Sequence, residues 1–82
     1  MKIPDGWALV NNALQRTFVM GTYSECVEFT INITRLAEQQ KHHPTITLEY
    51  SRVIVQTTTH DQNNTVTDLD INLAIRINEL LA

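Results

Sequence analysis

Three histidines and two carboxylates carry the chemistry this 82-residue chain has to offer. His42 and His43 are adjacent and followed by Pro44, and His60 lies at the end of a later segment. A free imidazole titrates at about 6.5, so near neutrality it gives a proton and takes one with similar ease. Glu38 stands four residues before His42, one helical turn away on the same face of a helix. Asp70 stands where a second helix is expected to begin. One imidazole protonating a leaving group while another removes a proton is the chemistry such a set suits.

Each of these residues also has a plainer reading. His-His before Pro suits the negative end of a helix dipole. His60 alone reads as a solvated strand end. Asp70 has a sufficient role at the positive end of a helix, and Trp7 reads as core. Three histidines and a carboxylate could also hold zinc or iron. Adjacent residues on a helix diverge by about 100°, however, which makes joint ligation by His42 and His43 awkward. No metal or organic cofactor is expected. Cys26 lies mid-helix on an apolar stripe and reads as a small buried hydrophobe. No Gly-rich phosphate loop and no HExxH motif is present.

The elements that must position these groups follow from periodicity. Trp7 to Val10 and Leu14 to Met20 read as strands, with Asn11-Asn12 as turn chemistry between them. Thr22 to about Gln40 reads as a helix, opened by a Thr22/Glu25 capping box and carrying Cys26, Phe29, Ile33 and Leu36 on one stripe. Its run Thr30-Ile31-Asn32-Ile33-Thr34 suits a strand in isolation, but length and cap favour helix. Pro44 disfavours helical geometry at His43, so the helix ends there or earlier. Thr45 to Tyr50 and Arg52 to Thr59 alternate as strands, followed by the polar loop Asp61-Gln62-Asn63-Asn64. Thr67 then caps a helix from Asp68 to about Leu81, with Leu69, Leu73, Ile77 and Leu80 as its apolar stripe. The order β-β-α-β-β-α predicts an α+β fold: a four-stranded antiparallel sheet with two helices packed on one face.

Composition bounds the rest. Eighty-two residues make a single domain. Six basic against nine acidic residues give a net charge of −3, and the basic residues are scattered, which speaks against direct nucleic-acid binding. No apolar run approaches the roughly 20 residues of a membrane span, and the first residues lack the apolar core of a signal peptide. A single cysteine forms no internal disulfide and fits a reducing, cytoplasmic setting. A domain this small without a disulfide is helped by self-association.

Glu38-Gln-Gln-Lys-His42-His43-Pro44, then Tyr50, His60 and Asp70 at their spacings, resembles the signature of pterin-4a-carbinolamine dehydratases. Gly6-Trp7, Leu14-Gln-Arg16-Thr-Phe18, Thr58-Thr59-His60-Asp61 and Asp70-Ile-Asn-Leu-Ala74 are similar to the same family. The resemblance spans nearly the whole chain from Gly6. It departs at Ile46, where an aromatic is common, and at Asn63-Asn64, where Gly-Gly is common. Only five residues precede Gly6, so the helix that family members commonly carry there is expected to be absent.

The resemblance implies dehydration of 4a-hydroxytetrahydropterin to quinonoid dihydropterin, the recycling step after aromatic amino-acid hydroxylation. It implies His42, His43 and His60 as catalytic residues. The acid–base pair would be His42 and His60, with His43 binding substrate or serving the other stereoisomer. Glu38, Thr58, Thr59, Asp61, Asp70 and Trp7 would bind or edge the pterin, and the three imidazoles would converge on one hollow. It also implies a homodimer or homotetramer. Some family members act instead as dimerisation partners of a homeodomain transcription factor or in the assembly of other proteins, so a non-enzymatic role is the competing expectation.

Overall fold

The structure is a computed structural model that describes residues 2–81. Strands β1 (Ala8–Val10) and β2 (Ala13–Val19) are joined by Asn11 and Asn12, both with left-handed backbone, φ 49° and 65°. Two successive positive-φ residues give the tight turn whose twist matches the flanking strands, and Asn tolerates it better than most side chains. Helix α1 (Tyr23–Gln40) follows, opened by Thr22, whose Oγ1 accepts the Glu25 N–H at 3.1 Å. Strands β3 (Thr45–Leu48) and β4 (Arg52–Thr57) form the second hairpin. A short 3₁₀ turn, His60–Gln62, leads to helix α2 (Asp68–Glu79).

The four strands form one antiparallel sheet in the order β1-β2-β4-β3. This is the predicted α+β architecture, with both helices against one face. Leu14, Phe18, Val53 and Val55 of that face meet Cys26, Phe29, Ile33 and Leu36 of α1 and Leu73, Ala74 and Ile77 of α2. Trp7, Phe18 and Phe29 pack edge to face, with ring centroids 6.0 and 4.8 Å apart, a geometry the ring quadrupoles favour. The β-branched run Thr30–Thr34 is helical, because Ile33 is drawn into the core together with Phe29 and Leu36.

The elements differ from expectation at several of their ends and on one helix face; β4, for example, ends at Thr57 rather than Thr59. β3 ends at Leu48 rather than Tyr50, because Glu49 donates its N–H to Arg52 O and the chain turns there; Tyr50 is left 82% exposed. α2 ends at Glu79 rather than Leu81, and Leu80 and Leu81 continue only with i→i−3 bonds. The inward stripe of α2 is Asp70, Leu73, Ala74 and Ile77, while Leu69 and Leu80 are exposed. A carboxylate stands where a leucine was expected, and what it does there defines the site.

Candidate active site

Asp70 is wholly buried at the first turn of α2. A buried carboxylate is tolerated only when its lone pairs are filled. Oδ1 accepts from His42 Nε2–H and from Thr57 Oγ1–H, both at 2.6 Å. Oδ2 accepts from Thr59 Oγ1–H at 2.7 Å and from the Thr67 N–H at 2.9 Å. The Thr67 bond is half of a capping box, so the helix start and the buried carboxylate are one structure. Thr59 spends its hydrogen on Asp70, so Thr67 Oγ1–H donates to Thr59 Oγ1 at 2.7 Å. Burial pushes the Asp70 carboxyl up. The hydrogen bonds from Thr57, His42, the Thr67 N–H and Thr59 outweigh it and hold the group below its ordinary 3.8.

This arrangement commits the Asp70 carboxylate to the protein's own donors. With four donors on two oxygens and no exposed surface, it has nothing left to offer a ligand. It acts on His42. An ionised carboxylate only accepts, so His42 Nε2 carries the hydrogen. Nδ1 is left as the nitrogen able to exchange a proton with a ligand. The His42 side chain keeps 11% exposure, enough to meet solvent at one edge.

His42 reaches Asp70 because α1 stops early. Lys41 is left-handed at φ 53°; its N–H bonds Glu38 O at 3.3 Å, and the His42 N–H bonds Ala37 O at 3.1 Å. These two bonds make a Schellman turn, which reverses the chain and swings His42 under the helix end. Neither His42 nor His43 is therefore helical, and the expected pairing of Glu38 with His42 on one helical face is not found. Glu38 Oε1 lies 3.1 Å from His43 Nε2 instead, and both side chains are exposed. The adjacent imidazoles are held by different carboxylates, one buried and one in solvent.

His60 opens the 3₁₀ turn after β4. It follows Thr59 directly, so the carboxylate that grips His42 also anchors the root of the His60 loop. The His60 ring is exposed, and its Nδ1 lies 2.7 Å from Asn64 Oδ1. Asp61 is exposed and, with Thr59, Gln62, Thr67, Asp68 and Leu69, lines a shallow hollow of about 360 Å³. Neither this hollow nor two larger ones elsewhere, each of about 430 Å³, is lined by His42, His43 or His60.

Two expected residues lie apart from this cluster. Trp7 is buried, and its Nε1–H donates to Asn78 Oδ1 at 2.8 Å, at the far end of α2 from Asp70. It belongs to the hydrophobic core. Thr58 faces the opposite way from Thr57 and Thr59 along the strand line, and its hydroxyl bonds Asn12 O at 2.8 Å. Thr57 and Thr67 were not foreseen as parts of the site. Thr57 had a readable signal: it continues the inward face of Val53 and Val55, where a hydroxyl requires a buried partner. Among the described residues, no three His, Cys, Asp or Glu side chains lie close enough to hold a metal ion. Among the described residues, no helix is long and apolar enough to cross a membrane.

A family model described as pterin 4 alpha carbinolamine dehydratase matches residues 1–80. A protein of Sulfurisphaera tokodaii, provisionally named a pterin-4-alpha-carbinolamine dehydratase, is 42% identical over 76 residues. The match covers 93% of this chain and 81% of that one. A protein of the same provisional name from Thermomicrobium roseum is 40% identical over 75 residues, covering 92% and 80%. The crystal structure of a Brucella melitensis protein described as a transcriptional coactivator/pterin dehydratase superposes with a TM-score of 0.88 at 35% identity. It covers 95% of this chain and 84% of that one. A pterin dehydratase-like protein identified as a RuBisCO assembly factor in the alpha-carboxysome has a TM-score of 0.77 at 19% identity, covering 92% and 88%, and shares the fold.

Proposed function

The chain belongs to the pterin-4a-carbinolamine dehydratase family, and on that premise we propose that it dehydrates 4a-hydroxytetrahydropterin to quinonoid dihydropterin. The C4a–O bond breaks, the leaving oxygen takes a proton and departs as water, and N5 gives up its proton as the C4a=N5 bond forms. One proton is delivered and one removed, so two imidazoles in opposite protonation states suffice. Such assistance is worth about 10²- to 10⁴-fold. His42 and His60 are the acid–base pair in this reading, with His43 and Glu38 at the substrate's rim.

The observation that supports the reading best is the single carboxylate of Asp70. It orients His42 directly at 2.6 Å and fixes Thr59, the residue before His60, at 2.7 Å. A buried anion spent on orienting one imidazole and the root of a second is an investment that packing alone does not require. The hollow beside Asp61 and Thr67 is the candidate seat for the flat bicyclic ring; its size is at the small end of ligand sites.

Self-association belongs to the same reading. β1 and β3 are the sheet's two edges, and Val19, Leu48 and Tyr50 expose apolar surface. Sedimentation at micromolar concentration is expected to give a species larger than one chain. Stopped-flow mixing of chemically generated carbinolamine with the protein tests the activity. Accelerated loss of the 4a-hydroxyl is expected, and a rate equal to the uncatalysed one would assign the fold here to a binding or assembly role.

A further inference from the structure

The loop that carries His60 is built from its own hydrogen bonds. The Thr59 N–H donates to Thr65 O at 3.0 Å, the Gln62 N–H to Thr59 O at 3.2 Å, and Thr65 Oγ1–H to Gln62 O at 2.6 Å. Asn63 and Asn64 are both left-handed, at φ 58° and 56°. Glycine would meet that backbone requirement with less strain than any other residue. Asn64 does something glycine cannot: its side chain turns back on the histidine four residues earlier, with Oδ1 2.7 Å from His60 Nδ1.

We propose that Asn64 is a positioning residue for His60, holding its ring as the Nδ1–H tautomer so that Nε2 is the nitrogen presented to the ligand. The inference rests on the dehydratase reading, in which His60 moves a proton. An amide oxygen has no hydrogen to give, so the ring nitrogen facing it must carry one. In a neutral imidazole the lone pair then lies on the other nitrogen. An untethered imidazole in water favours the opposite tautomer, Nε2–H, and samples several rotamers. The tether removes both freedoms before a ligand arrives, which is how positioning contributes to rate. The two histidines are thereby held in complementary ways. His42 is gripped at Nε2 by a carboxylate and presents Nδ1, whereas His60 is gripped at Nδ1 by a neutral amide and presents Nε2.

Asn64→Gly and Asn64→Asp test this. Glycine keeps the left-handed loop and removes the tether, while aspartate keeps an accepting oxygen. The readouts are the ¹⁵N shifts of the His60 ring nitrogens, taken where the ring is neutral, and the kcat and KM for carbinolamine dehydration. In the wild type Nδ1 should be protonated and Nε2 bare. Asn64→Gly should shift the ring toward Nε2–H and lower kcat about fivefold with little change in KM, the size expected for one ordinary hydrogen bond. Asn64→Asp should retain the Nδ1–H tautomer. A wild-type ring already in the Nε2–H form, or an Asn64→Gly protein unchanged in both tautomer and kcat, would overturn the proposal. Absence of turnover in the wild type would sink the dehydratase reading, and the ring-nitrogen shifts would still decide whether the tether exists.

Discussion

His42 Nε2 and Asp70 Oδ1 stand 2.6 Å apart although 28 residues separate them in the chain. The contact joins the end of α1 to the start of α2 beneath the end of β4. Every expected consequence of altering the site passes through it or through the loop rooted beside it.

Asp70→Asn keeps the shape of the side chain and removes its charge. Four donors then face one oxygen and an amide that is itself a donor. Hydrogen bonds to a charged group are worth about 1.5–3 kcal/mol each, and they are not additive. A loss of at least about that much unfolding free energy is expected, measured as a fall in the urea midpoint at unchanged m-value. A midpoint equal to the wild type's would mean that the carboxylate holds nothing together.

Acid should act on the same group. The folded-state pKa of Asp70 lies below its ordinary 3.8, so its contribution is complete above the unfolded value and fades as pH falls through the folded one. Wild-type stability should therefore drop below about pH 4, and Asp70→Asn should lose less over that interval. Urea midpoints at neutral pH and near pH 3 compare the two slopes. Parallel curves would remove Asp70 from the acid response.

His60→Ala removes an exposed ring from a loop held by other bonds. Stability should change by no more than about 0.5 kcal/mol, while the dehydration rate should fall at least about tenfold. Stopped-flow rates alongside a thermal melt separate the two effects. An undiminished rate would take His60 out of the proton traffic.

Lys41→Gly addresses the turn that delivers His42. A left-handed L-residue costs roughly 1–2 kcal/mol, and glycine returns part of that through unfolded-state entropy. A net gain of about 0.5–1 kcal/mol is expected, seen as a Tm higher by a few degrees with the rate preserved. Lys41→Val should do the reverse. A lower Tm for the glycine variant would show that the lysine side chain does more than tolerate its backbone.

Asn78 is the hub at the other end of α2. Its Oδ1 accepts from Trp7 Nε1 at 2.8 Å and Arg16 Nη1 at 2.6 Å, and its Nδ2–H donates to Asp5 O at 3.0 Å. Asn78→Ala strands the indole N–H of a buried tryptophan, at a cost of about 1–3 kcal/mol. Trp7 is the chain's only tryptophan, so its emission reports the change directly. An unaltered spectrum and melt would assign the indole another partner.

The fold was readable where periodicity and punctuation agreed. Asn11-Asn12 and the Thr22 and Thr67 caps sit where the spacing predicts, because turn and cap chemistry depends on near neighbours alone. The inward face of α2 was not readable, since Leu69, Leu73, Ile77 and Leu80 make as good a stripe on paper as the buried Asp70, Leu73, Ala74 and Ile77. Only the tertiary demand of His42, Thr57 and Thr59 for an acceptor selects the second. The partner of each histidine was hidden for a similar reason. A one-residue left-handed step at Lys41 decides whether Glu38 faces His42 or His43, and no side-chain pattern announces that step. Thr57 shows the opposite case, a polar residue on an apolar face whose need for a partner was already visible.

The knot of Trp7, Arg16 and Asp5 around Asn78 brings the stretch before β1 against the last turn of α2, at the corner of the molecule remote from Asp70. A short linker joining those two neighbouring stretches, with a new opening cut at the Asn11-Asn12 bend, would give a circular permutant whose histidine-bearing loops are untouched.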